Sequence, residues 1–208
     1  MPRLLISSAA VHGAAGAHDV FVADGAVQAI VPSGSRIFDA DDRIDAAGGL
    51  VSRGFVEPHL HPDKSFSLSE LPPARRDDDR VDHFARAARI KAGFTVETVA
   101  RRARRAFELA VSNGVTRLRA NVDVDGIAGL TGLHGVLSAR DEVASIVDVD
   151  VVAFPQEGLV RDPAAYGLLR EALVQGASLV GGWPNVEATF AEQVQHVQTV
   201  FDLAEEFD

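Results

Sequence analysis

The chain has 208 residues, 47% hydrophobic and 24% charged, which is enough apolar material to bury a core and too little polarity for a disordered segment of this size. A net charge of -10 argues against a nucleic-acid or anionic-membrane surface, and no apolar run approaches bilayer-spanning length, so the expected ligand is a small molecule. There is no cysteine, which excludes disulfides and thiolate metal sites and leaves His, Asp, Glu or a carboxylated Lys as metal ligands.

The start, MPRLLISSAAVHGAAGA, has the outline of a secretory leader. Its hydrophobic segment is short, follows one positive charge and contains Ser7, Ser8 and His12, so it reads instead as a first β-strand of a cytoplasmic protein. Residues 1–50 continue as short alternating segments, with Asp24-Gly25 between two apolar runs as a hairpin signal, and form a small β-module. From residue 51 to 208 apolar strands alternate with longer amphipathic segments, the βαβα rhythm of a parallel sheet covered by helices.

Four strand-helix units are expected in that second part. The first strand spans 49–61; Pro72-Pro73, the charged RRDDDR stretch and a short helix near 81–90 follow it, and then an amphipathic helix over 95–112 ended by Asn113-Gly114. The second strand is 116–124 with a helix over 133–147, and the third is 149–154 with a helix opened by Pro163 and ended at Gln175-Gly176. The fourth strand is 177–181 and its helix 189–207. RRDDDR and the RRARR run at 101–105 read as solvated loop and helix face.

Chemistry-bearing residues gather at the ends of these strands. In FVEPHLHPDK, His59 and His61 stand two apart at the carboxyl end of the first strand, so their rings project to one side, and two neutral imidazoles can hold one Zn²⁺ or Fe²⁺. An isolated HxH is more often a pair of ordinary histidines, but the carboxyl rim of a βα series is where barrel enzymes place their sites. The other strands end in Asn121-Val122-Asp123-Val124-Asp125, Pro155-Gln156-Glu157-Gly158 and Trp183-Pro184-Asn185. From the residues alone, Gln156 serves equally as a loop brace or a ligand contact. Asp123 and Asp125 read as loop caps, Trp183 as rim filler, and Asp63 with Lys64 as a surface pair. His12, His18, His83, His134 and His196 carry no expected role.

The segment GGLVSRGFVEPHLHPDKSF resembles the GxVxPGFVxxHxH signature of the amidohydrolase superfamily. With GVTRLRANVDVD, VDVVAFPQEGL and GASLVGGWPN it is similar to the branch that includes cytosine deaminase and N-isopropylammelide amidohydrolase. The resemblance implies an α/β fold, with a small N-terminal β-sandwich module (1–50) followed by the first four βα units of a (β/α)₈ barrel (51–208). It also implies a divalent metal on His59 and His61 and a substrate ring contacted by Gln156. Two-metal members carry a lysine on the fourth strand; Ser178-Leu179-Val180-Gly181-Gly182 has none, so one ion is expected. Asn121 stands where cytosine deaminases have a histidine.

The implied reaction is metal-dependent hydrolysis of a non-peptide C–N bond in a cyclic amidine or nucleobase-like molecule, since a bound metal lowers the pKa of water from about 15.7 toward roughly 7. The acid that shuttles the proton and a third histidine belong to an HxxE motif on the family's fifth strand, and a metal-binding aspartate to the eighth. Neither occurs here, so no catalytic residue is assigned within this chain and these groups are expected beyond residue 208. A complete barrel takes about 250 residues, and FDLAEEFD matches the helix before the missing strand, so the chain reads as the front half of such an enzyme. The alternatives are a non-catalytic half-barrel that acts by binding or assembly, a complete barrel assembled as a homo-oligomer or with a complementing second half, and a dihydroorotase-like enzyme that opens a cyclic amide.

Overall fold

The computed structural model describes residues 2–70 and 83–208. Pro72-Pro73, RRDDDR and the first two residues of the helix expected over 81–90 lie outside the described residues. The chain divides into two compact units at Arg53/Gly54, slightly beyond the expected break after residue 50.

In the first unit β1 (Leu4–Val11), β2 (Ala17–Ala23), β3 (Ala26–Pro32) and β4 (Asp42–Asp45) form one sheet in the order β3-β2-β1-β4, and β5 (Leu50–Val51) also pairs with β1. Asp24 and Gly25 take φ of 53° and 76°, the left-handed pair that lets a two-residue turn follow the strand twist between β2 and β3. A bulge between Ile6 and Ala9 interrupts β1. The buried Asp19 carboxylate holds it, accepting from Gly34 N at 3.0 Å, Ser33 Oγ at 2.8 Å and Ser8 N at 3.1 Å. Those three donors keep Asp19 below the usual carboxylate range, despite its burial.

The expected strand over 49–61 is two pieces. Leu50 and Val51 run parallel to Ala10 and Val11, so their backbone groups are satisfied in the first sheet. The second unit opens with β6 (Phe55–Leu60), which leaves His61 just past a strand end.

That unit is a parallel sheet in the order β6-β7-β8-β9, with β7 at Val115–Asp123, β8 at Asp148–Phe154 and β9 at Leu179–Val180. Its helices are α1 (Ser67–Glu70), α2 (His83–Lys91), α3 (Val96–Ser112), α4 (Thr131–Val143), α5 (Ala165–Val174) and α6 (Phe190–Phe207), with a 3₁₀ turn at Pro184–Val186. β7 pairs with β8 without a slip from Arg117↔Asp148 to Asp123↔Phe154, so the residues that follow both strands emerge at one level. Ala120 to Asp125 are all buried, as expected of a central strand covered on both faces.

Thr95 caps α3 and Thr189 caps α6, each in a reciprocal capping box with the residue three further on. Val99, Ala103 and Phe107 of α3 meet Leu133, Val136 and Ala139 of α4 and Leu118, Ala120 and Val122 of β7 in one core. The RRARR run is not uniformly solvated. Arg102 is buried, its guanidinium donating to Glu70 Oε2 at 2.7 Å and to the Asp63 carbonyl at 3.0 Å, because its place in the run falls on the core-facing stripe beside Ala103.

α3 and α4 approach so closely at Gly135 that an added Cβ would lie 2.6 Å from Val99 Cβ and 2.9 Å from the Val96 carbonyl. Both obstacles are fixed parts of α3, so the helices must separate to admit a methyl group. Gly135→Ala is therefore expected to destabilise the fold by about 1–3 kcal/mol, read as a lower urea midpoint at unchanged slope. An unaltered midpoint refutes this packing.

Candidate functional site

The i, i+2 spacing at the end of β6 brings the His59 and His61 rings to a centroid distance of 5.1 Å at 67°. His59 is exposed, whereas His61 is partly buried and packs edge-on against Phe154 at the end of β8, 5.5 Å between centroids. Burial, then the Lys64 charge and His59, push the His61 pKa down to about 3, so the ring is neutral at ordinary pH. A neutral imidazole is the form that ligates metals. Its buried Nδ1 has no hydrogen-bond partner among the described residues and lies 3.7 Å from Asp123 Oδ1, too far for a hydrogen bond.

Beside the histidines, two lysines and four acids interlock. Lys64 Nζ donates to Asp123 Oδ1 at 2.7 Å and to Gln156 Oε1 at 3.1 Å. Lys91, fully buried at the end of α2, donates to Asp125 Oδ2 and Glu157 Oε1, both at 2.6 Å, and lies 3.2 Å from Asp123 Oδ2. Burial opposes the Lys91 charge, but Asp123, Asp125 and Glu157 outweigh it and hold the ammonium above its ordinary pKa. Asp63 is wholly buried and accepts from Asp123 N at 3.1 Å; burial and then the Asp123 charge raise it to about 7. Burial pushes Asp123 the same way, against the pull of Lys64 and Lys91.

Several expectations change. Asp63 and Lys64 do not pair at the surface: Asp63 points inward and Lys64 reaches across to β7 and the loop after β8. Asp125 does cap its loop, its Oδ1 accepting from Ile127 N and Ala128 N at 3.0 Å, while its other oxygen takes Lys91. Asp123 is no cap, because both its oxygens face ammonium groups. Gln156 rests on a side chain, through its Oε1, and Asn121 Nδ2 is buried without a hydrogen-bond partner among the described residues.

His196, given no role from sequence, is fully buried on α6. Its Nε2 accepts from Trp183 N at 3.1 Å, which puts the proton on Nδ1, and Nδ1 donates to Glu187 Oε1 at 2.7 Å. Burial disfavours the Glu187 charge, yet the His196 bond and the backbone N–H groups of Leu159, Val160 and Arg161 hold its pKa low. This pair fastens the loop after β8 to the segment after β9. A sequence signal existed: His196, Val200 and Leu203 fall at i, i+4 and i+7, the core-facing stripe of an amphipathic helix.

The donor chemistry fits a divalent cation. His61 Nδ1 and Asp63 Oδ1 are buried without hydrogen-bond partners among the described residues, and donor atoms of His61, Asp63 and Asp123 all lie within 4.8 Å of one another. Asp123 already compensates two ammonium groups, which makes it a poorer donor than the imidazoles. His59 stands outside that trio but next to His61.

No protein-family model matches the chain. It is 35% identical over 178 residues to the N-isopropylammelide isopropyl amidohydrolase of Pseudomonas sp. (strain ADP), covering 80% of this chain and 42% of that protein. Among solved structures, 5-methylcytosine deaminase from Klebsiella pneumoniae superposes with a TM-score of 0.84 at 29% identity, covering 98% of this chain and 49% of that one. N-isopropylammelide isopropylaminohydrolase from Burkholderia multivorans gives 0.78 at 29%, covering 100% and 51%. The chain thus spans about half the length of the proteins it matches. Identity sustained over four-fifths of the sequence, on a shared backbone of parallel strands and covering helices, makes this chain a member of the amidohydrolase superfamily.

Proposed function

We propose that the chain carries the first part of the site of a metal-dependent hydrolase acting on a non-peptide C–N bond of a cyclic amidine or nucleobase-like small molecule. The observation that carries this reading is the pair His59 and His61, side by side at the carboxyl end of a parallel strand, with His61 held neutral. In architecture the second unit corresponds to the first four βα units of a (β/α)₈ barrel and the first to a β-sandwich module. The ordered parallel strands and the half-length match to the solved relatives support that correspondence.

His59 and His61 would hold one Zn²⁺ or Fe²⁺, with no strand lysine among residues 177–182 to bridge a second ion. When bound, such an ion supplies a hydroxide nucleophile at neutral pH. The chain's own part is to keep the His61 ring uncharged, to exclude water behind it with Phe154, and to hold the substrate ring through Gln156. The proton shuttle, third histidine and further aspartate are assigned to no residue of this chain. A ring-opening reaction of the dihydroorotase type fits less well, because it is the two-metal members that use the absent lysine. A cytoplasmic setting suits a small polar substrate; no helix among the described residues is long and apolar enough to cross a membrane.

A specific observation favours assembly, as a homo-oligomer or with a complementing half. β6 and β9 end the parallel sheet on either side, and α6 exposes Phe190 (78%), Val194 (53%), Val197 (42%) and Phe201 (64%) along one stripe. Parallel edges and an apolar stripe left open among the described residues both invite association.

Two measurements follow. The chain loaded with Zn²⁺ and desalted is expected to retain metal by elemental analysis. His59→Ala with His61→Ala should weaken binding more than the roughly 10- to 100-fold that loss of an outer-shell partner brings, whereas Gln156→Ala should leave metal content unchanged. Equal retention by the double variant rejects the ligand pair. In light scattering the chain is expected to show a concentration-dependent mass above that of a monomer, which Phe190→Asp with Phe201→Asp lowers to monomer; a wild-type chain monomeric at all concentrations rejects the homo-oligomer.

A further inference from the structure

Lys64 has no part in the function described above, yet it touches the residue assigned to the substrate ring. Its Nζ lies 3.1 Å from Gln156 Oε1 and 2.7 Å from Asp123 Oδ1, and its side chain is 22% exposed. An ammonium group has three donors and no acceptor, so the amide atom facing it must be oxygen; the flipped amide would set donor against donor. The Gln156 NH₂ is therefore turned away from Lys64, and both its hydrogens remain to be matched elsewhere.

Lys64 is held in place in turn. Asp123 Oδ1 takes its charge, Lys91 lies 3.2 Å from the other Asp123 oxygen, and Asp63 accepts from the Asp123 backbone N–H at 3.1 Å. The loop is fixed at the following residue as well, since Glu157 Oε1 meets Lys91 at 2.6 Å. Gln156 and Glu157 are thus each pinned by a separate lysine, one carrying a ligand-facing amide and the other a structural carboxylate.

We propose that Lys64 is the positioning residue that sets the rotamer and the amide orientation of Gln156, holding its oxygen toward Lys64 so that the NH₂ is the group left to face a bound ring. The consequence for selectivity rests on the reading that Gln156 contacts the substrate. Rings that present an acceptor there, a carbonyl oxygen or an unprotonated ring nitrogen, are admitted. Rings that present an amino group or a ring N–H at that position are disfavoured, because flipping the amide to receive them would turn its NH₂ onto Lys64.

The test uses the full chain uniformly labelled with ¹⁵N, the Gln156 side-chain resonance being assigned by its absence from Gln156→Ala. In the wild type the Gln156 amide is expected to be rigid. In Lys64→Met its order parameter should fall below about 0.6, the flexible range, while the backbone amides of Leu159 and Val160, which bond Glu187, stay unchanged; Lys64→Arg should restore it. An amide as ordered in Lys64→Met as in the wild type overturns the proposal. If Lys64→Met does not fold, Lys64→Met with Asp123→Asn removes the orphaned carboxylate and gives the same readout. Cytosine and 2,4-diaminopyrimidine, which carry oxygen and an amino group at the same ring position, then test selectivity. Cytosine should shift the Gln156 resonance and bind at least about tenfold more tightly, roughly 1.4 kcal/mol. Equal affinities overturn the selectivity. A Gln156 resonance moved by neither probe removes Gln156 from ring binding, and the selectivity with it, while the orientation stands or falls on Lys64→Met alone.

Discussion

One buried ammonium group organises the rim of this sheet. Lys91 ends α2 with its Nζ among Asp123, Asp125 and Glu157, so a single charge joins a helix, the end of β7 and the loop after β8. Taking an ammonium out of water costs several kcal/mol, and only close, well-directed carboxylates offset it. Here three of them converge, two accepting hydrogen bonds at 2.6 Å and the third forming an ion pair at 3.2 Å. The arrangement has little freedom to slide: withdrawing one partner leaves unpaired charge at a site of no solvent exposure, which typically costs about 3–5 kcal/mol. Rigidity at the rim follows from that penalty more than from any net gain in stability.

A second brace reaches the same loop from the other side. Glu187 receives three successive backbone N–H groups, from Leu159 to Arg161, and the His196 ring holds the carboxylate in place. Lys91 takes Glu157 at one end of the segment and Glu187 takes Leu159 to Arg161 at the other. Gln156 therefore sits at the head of a loop whose backbone is fixed by two independent charged networks. In the proposed role of ring contact, Gln156 gains from such fixed support, since the ordering entropy is lost on folding and not again on binding.

The order and type of the elements were legible in the sequence because they rest on local signals: the Asp24-Gly25 turn, the Asn113-Gly114 stop after α3, and the strand-helix rhythm after residue 51. The break inside the expected 49–61 strand was not, because it depends on Leu50 and Val51 finding β1, about forty residues away in sequence. The charged rim was hidden for the same reason. Lys91 looks like any lysine in the last turn of a helix, and nothing near it in sequence announces Asp123, Asp125 and Glu157. His196 was different, since its place on the apolar stripe of α6 was visible and pointed to burial. HxH was legible as a pair of adjacent rings, but that His61 would be neutral required knowing its burial and the charge of Lys64.

The balance of charge at the rim bears on the cation site proposed at the two histidines. Lys64 and Lys91 supply two positive charges, and Arg102 is already matched by Glu70. Against them stand Asp123, Asp125 and Glu157, with Asp63 contributing a fourth charge only when it is ionised. The array is net negative in either state of Asp63. A neutral His61 stands 3.7 Å from Asp123, in the field of this excess, so an approaching divalent ion gains from the acids behind the imidazoles without needing them as ligands. The two lysines limit that excess and keep Asp123 engaged, which separates the carboxylates that tune the field from the imidazoles proposed as ligands.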